Sequence, residues 1–240
     1  MDRNSYSILV INPNSTVSMT ISLVDVVESL KYNDTRCEYF TAPSGPRSID
    51  NASDATLSME RCLPALLPML QRQDAFLVAC YSEHPLVREL QNRTHRPVVG
   101  ILEASIAAAL QTIRPGECFG IVSTGAVWQE LLTIAVHNFL GGDSQKFAGV
   151  ETTGLSAVEL HDAPADLVKC RMQDAVKRLL RGRNAVVGTI CLGCAGMAGL
   201  DHIVREACVQ ELGDEGRNIR IIDGVKAGIG SLQTLLRGAF

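Results

Sequence analysis

Cys191 and Cys194 stand three positions apart in the stretch TICLGCAGM, Thr189 to Met197, and Cys80 stands in LVACYSEHP, Leu77 to Pro85. A thiolate can bind metal, exchange disulfides, attack carbon or take a proton. The Cys-x-x-Cys spacing first suggests zinc or a redox dithiol. A structural zinc site needs two more ligands at matching spacing, and no second Cys-x-x-Cys follows. The nearest downstream histidine is His202, and a thioredoxin-type pair would open a helix early in the chain. The glycines are more telling. Gly193, Gly196 and Gly199 permit a tight turn and close approach of backbone to a ligand. Backbone N–H groups after Cys194, at a helix start, could lower a thiol pKa and hold an oxyanion. Cys191 still lies in the apolar run VVGTIC and reads as buried wall, whereas Cys194, between Gly193 and Ala195, reads as the exposed nucleophile or base.

Cys80 is followed by Ser82, which offers a hydroxyl, and His84, which offers an imidazole, just before the Pro85 helix start. His84 reads more simply as a cap, and Glu103 equally as a cleft residue or a helix-start carboxylate. His95, His137, His161 and His202 show no ligand spacing, and neither GxGxxG nor GxxxxGK[ST] occurs. Trp128 and Gln129 read as packing and surface. Cys37, Cys62, Cys118, Cys170 and Cys208 read as small buried hydrophobes.

The elements that must position these groups follow from the apolar pattern. The chain has 240 residues, 46% hydrophobic, with a formal net charge of −4. That suffices for a large core and gives no basic footprint for nucleic acid or an anionic membrane. No apolar run has the length of a signal segment or a membrane span, so a soluble cytoplasmic protein is the expectation. Short runs rich in Val, Ile and Leu fall at 7–12, 75–80, 98–102, 119–123, 185–191 and 219–222. Helical patterns fill the intervals, at 16–32, 53–72, 85–93, 104–113, 126–139, 164–181, 198–212 and 224–236. Such alternation predicts an α/β fold with mainly parallel sheets buried on both faces. Asn14 or Ser15 can cap the first helix.

The pattern also echoes itself. SILVINPNST and CFGIVSTGAV each end a strand and open a helix through small polar residues, and each is followed at a similar interval by a cysteine at a strand end, Cys80 or Cys194. Two similar lobes are expected, each with a four-stranded sheet: 1–102 with 221–240, and 103–220. Ligands of open parallel sheets bind beyond the carboxyl ends of the strands. If two lobes face each other, Asn14, Cys80, Thr124 and Cys194 meet in one cleft.

These residues, with ILVINPNST, TAPSGPRSI, VACYS, PVVGILEA, FGIVSTGAVW, LGCAGMAGL and IIDGVKAG in that order, resemble the hydantoin racemase family of the Asp/Glu/hydantoin racemase superfamily. The form ACYSEHP is closest to fungal members. The resemblance implies two pseudo-symmetric α/β lobes, with the C-terminal segment returning to the first. It implies a cofactor-independent racemase with Cys80 and Cys194 as its two catalytic cysteines and no role for Cys191. Asn14 takes the place of the substrate-binding asparagine, and Ser123 and Thr124 that of a small polar pair. Ser15, Ser82 and the backbone N–H groups near Gly125 and Ala195 join them as substrate-binding candidates. The family usually follows its first cysteine with an aromatic, a small residue and Asp-Pro; here Tyr81-Ser82-Glu83-His84-Pro85 is one residue longer.

The function implied is two-base racemisation of a small hydantoin-type substrate, allantoin or a 5-substituted hydantoin, with no metal and no cofactor, in a homo-oligomer that binds neither nucleic acid nor membrane. The alternatives are an aspartate or glutamate racemase of the same superfamily, or a metabolite-binding protein without turnover.

Overall fold

The computed structural model describes residues 5–182 and 186–238, without the side chain of His161. The strand expected from Ala185 therefore begins outside the described residues. Two compact units divide the chain: one runs to Ala104 and resumes at Val225, and the other is Ser105–Gly224.

In the first unit the elements are β1 (Tyr6–Asn12), α1 (Val17–Glu28), β2 (Thr35–Thr41), α2 (Ala52–Leu66), β3 (Ala75–Val78), α3 (Pro85–Gln91) and β4 (Val98–Gly100). The sheet is wholly parallel, in the order β2-β1-β3-β4. Ile8, Leu9, Val10 and Ile11 of β1 are fully buried, as a central strand covered on both faces requires. Leu9, Ile11, Phe76 and Val78 pack with Leu66 of α2 and Leu86 and Leu90 of α3. Each such side chain contributes roughly 1.5–3 kcal/mol on burial.

Helix α4 (Ile101–Thr112) carries the chain into the second unit. There follow β5 (Glu117–Ser123), α5 (Val127–Leu140), β6 (Phe147–Thr152), α6 (Ala157–Asp162), α7 (Ala165–Arg181), β7 (Val186–Gly193), α8 (Asp201–Leu212) and β8 (Arg220–Asp223). This sheet is parallel too, and its order, β6-β5-β7-β8, repeats the first. Val122, Ile190 and Leu192 pack with Met172 and Val176 of α7 and Val204 of α8.

Helix α9 (Gly224–Arg237) belongs to the first unit. A Cβ on Gly228 would lie 2.4 Å from Leu77 Cδ1, so glycine is what lets α9 pack this close to β3. Gln233 donates to Thr35 Oγ1 at 3.0 Å, and Arg237 reaches the Asp34 carboxylate at 2.6 Å. The unit boundaries fall a few residues from the lobes expected: β8, part of which was assigned to the first lobe, pairs with β7 along its length.

Both strands absent from the sequence reading, β2 and β6, are sheet edges. TRCEYFT in β2 is only partly buried and carries charge, so it makes no apolar run. Cys170 is a correction: it is exposed on α7, within hydrogen-bonding reach of Asp174 at 3.8 Å, because the buried stripe of that helix runs through Val168, Met172, Ala175, Val176 and Leu179 and passes it by.

Candidate active-site residues

In each sheet the chain moves from its first strand to one neighbour and then crosses back to the other. Order reverses between β1 and β3, and between β5 and β7. Such switch points open a crevice at the carboxyl ends of the strands. Asn14 and Cys80 follow the two strands of the first switch point, and Thr124 and Cys194 those of the second.

In the first unit the NPNST turn is built on Asn12, which is buried. Its Nδ2 donates to Asn14 Oδ1 (3.1 Å), the Thr16 carbonyl (3.2 Å) and Thr20 Oγ1 (3.0 Å), while its Oδ1 accepts from the Asn14 N–H (3.1 Å). Asn14 Oδ1 also accepts from the Thr16 N–H at 2.9 Å. The cap of α1 is Thr16, not Asn14 or Ser15, and its own side chain does not cap. The Ser15 hydroxyl instead reaches the carbonyls of Gly45 and Pro46, at 3.1 and 3.2 Å. Asn14 Nδ2 donates to Met19 Sδ at 3.2 Å, a weak acceptor that a ligand carbonyl could displace.

Cys80 lies two residues beyond β3 and is half-buried. Its Sγ is 3.3 Å from the Ser82 hydroxyl, and Ser82 is buried. The loop coils back on itself: the Ser82 N–H donates to the Cys80 carbonyl and the His84 N–H to the Ser82 carbonyl, at 3.1 and 2.8 Å. His84 caps α3 by accepting the Leu86 N–H on Nδ1 at 3.2 Å. It is 2% exposed, and burial pushes its pKa down to about 4, so the ring is neutral at physiological pH. Burial raises the Glu103 pKa, with the Glu83 charge adding to the effect, and Glu103 Oε2 is buried without a hydrogen-bond partner.

In the second unit Cys194 is half-buried and begins a 3₁₀ turn, Ala195–Met197. The Gly196 N–H donates to Cys194 Sγ at 3.3 Å, a bond that favours the thiolate. Cys191, three residues earlier, is fully buried, with Sγ 3.8 Å from the Ser105 carbonyl. Ser123 is also fully buried and donates to the Gly193 carbonyl at 2.7 Å. A Cβ on Gly193 would lie 2.7 Å from Ile121 Cγ2 and 2.8 Å from Val122 O, so only glycine fits there. The Thr124 carbonyl accepts from the Gly154 N–H at 3.0 Å, and Thr124 is 2% exposed. A Cβ on Gly125 would meet nothing within 4 Å, and Ala195 is partly exposed at the turn. Gly199, at φ +82°, donates its N–H to Asp223 Oδ2 at 3.3 Å, tying the glycine turn to the end of β8.

The structure thus brings Asn14, Ser15, Cys80 and Ser82 to the carboxyl rim of one sheet, and Ser123, Thr124, Gly125, Cys194 and Ala195 to that of the other. Asn12, Ser58 and Asp223 were missed. Asn12 and Asp223 close strands in the quoted motifs NPNST and IIDG; Ser58 has no motif and is known only by its contacts. Among the described residues no cluster of three or more His, Cys, Asp or Glu could hold a metal, and no helix is long and apolar enough to cross a membrane. A groove of about 1010 Å³ along β6, between Gln129, His137 and Arg178, contains none of the candidate residues.

An architecture of two four-stranded parallel sheets flanked by helices is shared with known racemases. The chain belongs to the Asp/Glu/hydantoin racemase family, which matches residues 8–232. An uncharacterized protein of Schizosaccharomyces pombe is 38% identical over 231 residues, 96% of this chain and 92% of its own. A hydantoin racemase of a Pseudomonas species is 28% identical, over 95% of this chain and 85% of its own. The crystal structure of allantoin racemase from Pseudomonas fluorescens matches with a TM-score of 0.83 at 26% identity, covering 98% of this chain and 92% of that one. The chain is accordingly a racemase, an isomerase of this superfamily.

Proposed function

We propose that this racemase inverts the carbon at position 5 of a hydantoin-type substrate, allantoin or a 5-substituted hydantoin, with Cys80 and Cys194 as its two bases and no cofactor. One observation carries the reading: the half-buried thiols occupy equivalent places in two sheets of identical order, and each has a close polar partner, Ser82 or the Gly196 N–H.

The reacting C–H lies between a carbonyl and a nitrogen. One cysteine, as thiolate, takes the proton, and the C–H electron pair moves into the carbonyl, giving an enolate. The other cysteine, as thiol, returns a proton to the opposite face. The two then hold exchanged protonation states, ready for the reverse reaction. An ordinary thiol has a pKa of about 8.5, and each unit of depression corresponds to about 1.4 kcal/mol in favour of the thiolate. The Gly196 N–H acts in that direction at Cys194. Donors to the enolate oxygen supply further stabilisation. Asn14 Nδ2 is the first candidate, with the Ser82 hydroxyl, Thr124 and the backbone N–H groups near Gly125 and Ala195 beside it. Ser15 and Ser123, whose hydroxyls are engaged by backbone carbonyls, shape the rims.

A neutral cyclic imide is favoured over an amino acid because the candidate residues offer amides, hydroxyls and thiols as their polar side-chain groups. The names of the hydantoin and allantoin racemase relatives point the same way. Proton exchange in deuterium oxide, measured across allantoin, substituted hydantoins and free aspartate and glutamate, tests the assignment. Exchange of the amino acids alone would overturn the hydantoin reading.

A further inference from the structure

We propose that His84 and Ser58 are positioning residues that lock the Asn12–Thr16 turn to the Cys80 loop through the carbonyl of Pro13. The proposal deepens the hydantoin reading and rests on it for its substrate.

Pro13 sits in the middle of the NPN motif. Its carbonyl accepts the Ser58 hydroxyl at 2.5 Å, with the Cys62 thiol at 3.5 Å. Ser58 lies on α2 and is fully buried. Its Oγ is 3.5 Å from His84 Nε2. Two constraints assign the tautomer. A carbonyl only accepts, so the Ser58 proton points at Pro13 and leaves an oxygen lone pair for His84. On the other side of the ring, Nδ1 accepts the Leu86 N–H and so carries no proton. Nε2 therefore bears the hydrogen and donates to Ser58. Every polar atom in the chain Leu86 N–H, His84, Ser58 and Pro13 C=O then has a partner of the right kind. The same histidine's N–H holds the Ser82 carbonyl at 2.8 Å, and Ser82 Oγ is 3.3 Å from Cys80 Sγ. One buried ring thus joins the turn bearing Asn14 to the loop bearing Cys80, within one unit.

The two nitrogens of His84 can be separated by substitution. In His84→Asn, Oδ1 can replace Nδ1 as the cap of α3, since asparagine is among the preferred caps, while the donor to Ser58 is lost. In His84→Gln, the side-chain amide can replace the Nε2 donor, while the cap is lost. Ser58→Ala removes the link from the other end. His84→Asn and Ser58→Ala are expected to raise KM for the hydantoin substrate about tenfold and to lower kcat per active site by about tenfold as well, because Asn14, the first donor to the substrate carbonyl and its enolate, is displaced while both thiols remain. The double variant is expected to be no worse than either single one, since both break the same chain. His84→Gln is expected to restore KM while melting lower than wild type. A purely structural role would instead lower the active fraction at unchanged KM, and that result overturns the proposal.

Nitrogen NMR of the histidine ring reads the tether without turnover. The wild type is expected to show the neutral Nε2–H tautomer at pH 7, and Ser58→Ala to shift the Asn14 side-chain amide resonance. A charged ring, the other tautomer, or an unmoved Asn14 amide contradicts the tether. A wild type with these signals that racemises no hydantoin defeats the substrate reading and leaves the tether standing.

Discussion

Ser123 Oγ donates to the carbonyl of Gly193 at 2.7 Å, so the last residue of β5 holds the residue immediately before Cys194. Both lie at the carboxyl ends of adjacent parallel strands, paired in register. Both residues are buried, and the bond fixes where the glycine turn departs from the sheet. Ser123→Ala leaves the turn without this restraint. It is expected to cost about 1–2 kcal/mol of stability, as for a buried hydrogen bond. Racemase activity should fall with little change in KM. Denaturant unfolding and steady-state kinetics check both, and an unchanged kcat would show that the turn is held by its other contacts.

Cys191 and Cys194 should behave differently despite their spacing. Cys191 is fully buried and contacts the Ser105 carbonyl; Cys194 is half-buried and receives the Gly196 N–H. Cys191→Ala removes one sulfur from a packed core, at a cost of about 1 kcal/mol, and should retain most activity. Cys194→Ser should abolish racemisation. Equal losses in the two variants, measured by polarimetry, would reject the assignment within the pair.

Alkylation followed by mass spectrometry should divide the cysteines by environment. Cys80, Cys170 and Cys194 are at least partly exposed, as is Cys37, whose thiol burial pushes up to about 11, whereas Cys62, Cys118, Cys191 and Cys208 are buried. Burial also pushes the Cys62 and Cys208 thiols up to about 11, far from the thiolate form at neutral pH. The first three should label in the native protein, and the buried four only after unfolding. A bound hydantoin should protect Cys80 and Cys194 and leave Cys170 unprotected. Protection of Cys170 would contradict the placement of the site.

His84 gives stability a defined acid dependence. Its ordinary pKa of 6.5 falls to about 4 in the folded protein through burial. Between these values the unfolded chain holds a proton that the folded chain does not, so stability declines as pH falls through this window. The full contribution is present above pH 6.5 and is lost by about pH 4, amounting to about 3 kcal/mol. His84→Asn should remove this component. Denaturant unfolding at a series of pH values, with wild type and variant compared, checks it; parallel curves would contradict the buried neutral histidine.

The central strands were legible because strands covered on both faces must be apolar throughout. Ile8–Ile11 and Ile190–Leu192 could hardly be anything else. Among the edge strands, β4 and β8 keep apolar runs and were legible, whereas β2 was not, since a strand with one free edge tolerates the charges of TRCEYFT. Cys80 and Cys194 were legible as strand ends, and the repeated strand order makes them equivalent. Ser58 was not legible: it touches Pro13 from 45 positions away, and no local pattern marks such a contact. The two serines flanking the switch points were named as binding groups, but their surroundings assign their hydroxyls to backbone carbonyls. Sequence supplies the residue type; only the fold shows which partner has already claimed it.

The most direct test of the two-thiol account is proton exchange at the reacting carbon in deuterium oxide, followed by NMR and chiral chromatography for each enantiomer of a 5-substituted hydantoin, with wild type, Cys80→Ser and Cys194→Ser. The account predicts that wild type incorporates one solvent deuteron with each inversion. It also predicts that neither serine variant inverts either enantiomer, and that each loses exchange most severely for the enantiomer whose proton its missing thiolate would take. Inversion without deuterium incorporation, or full inversion by either variant, would contradict it.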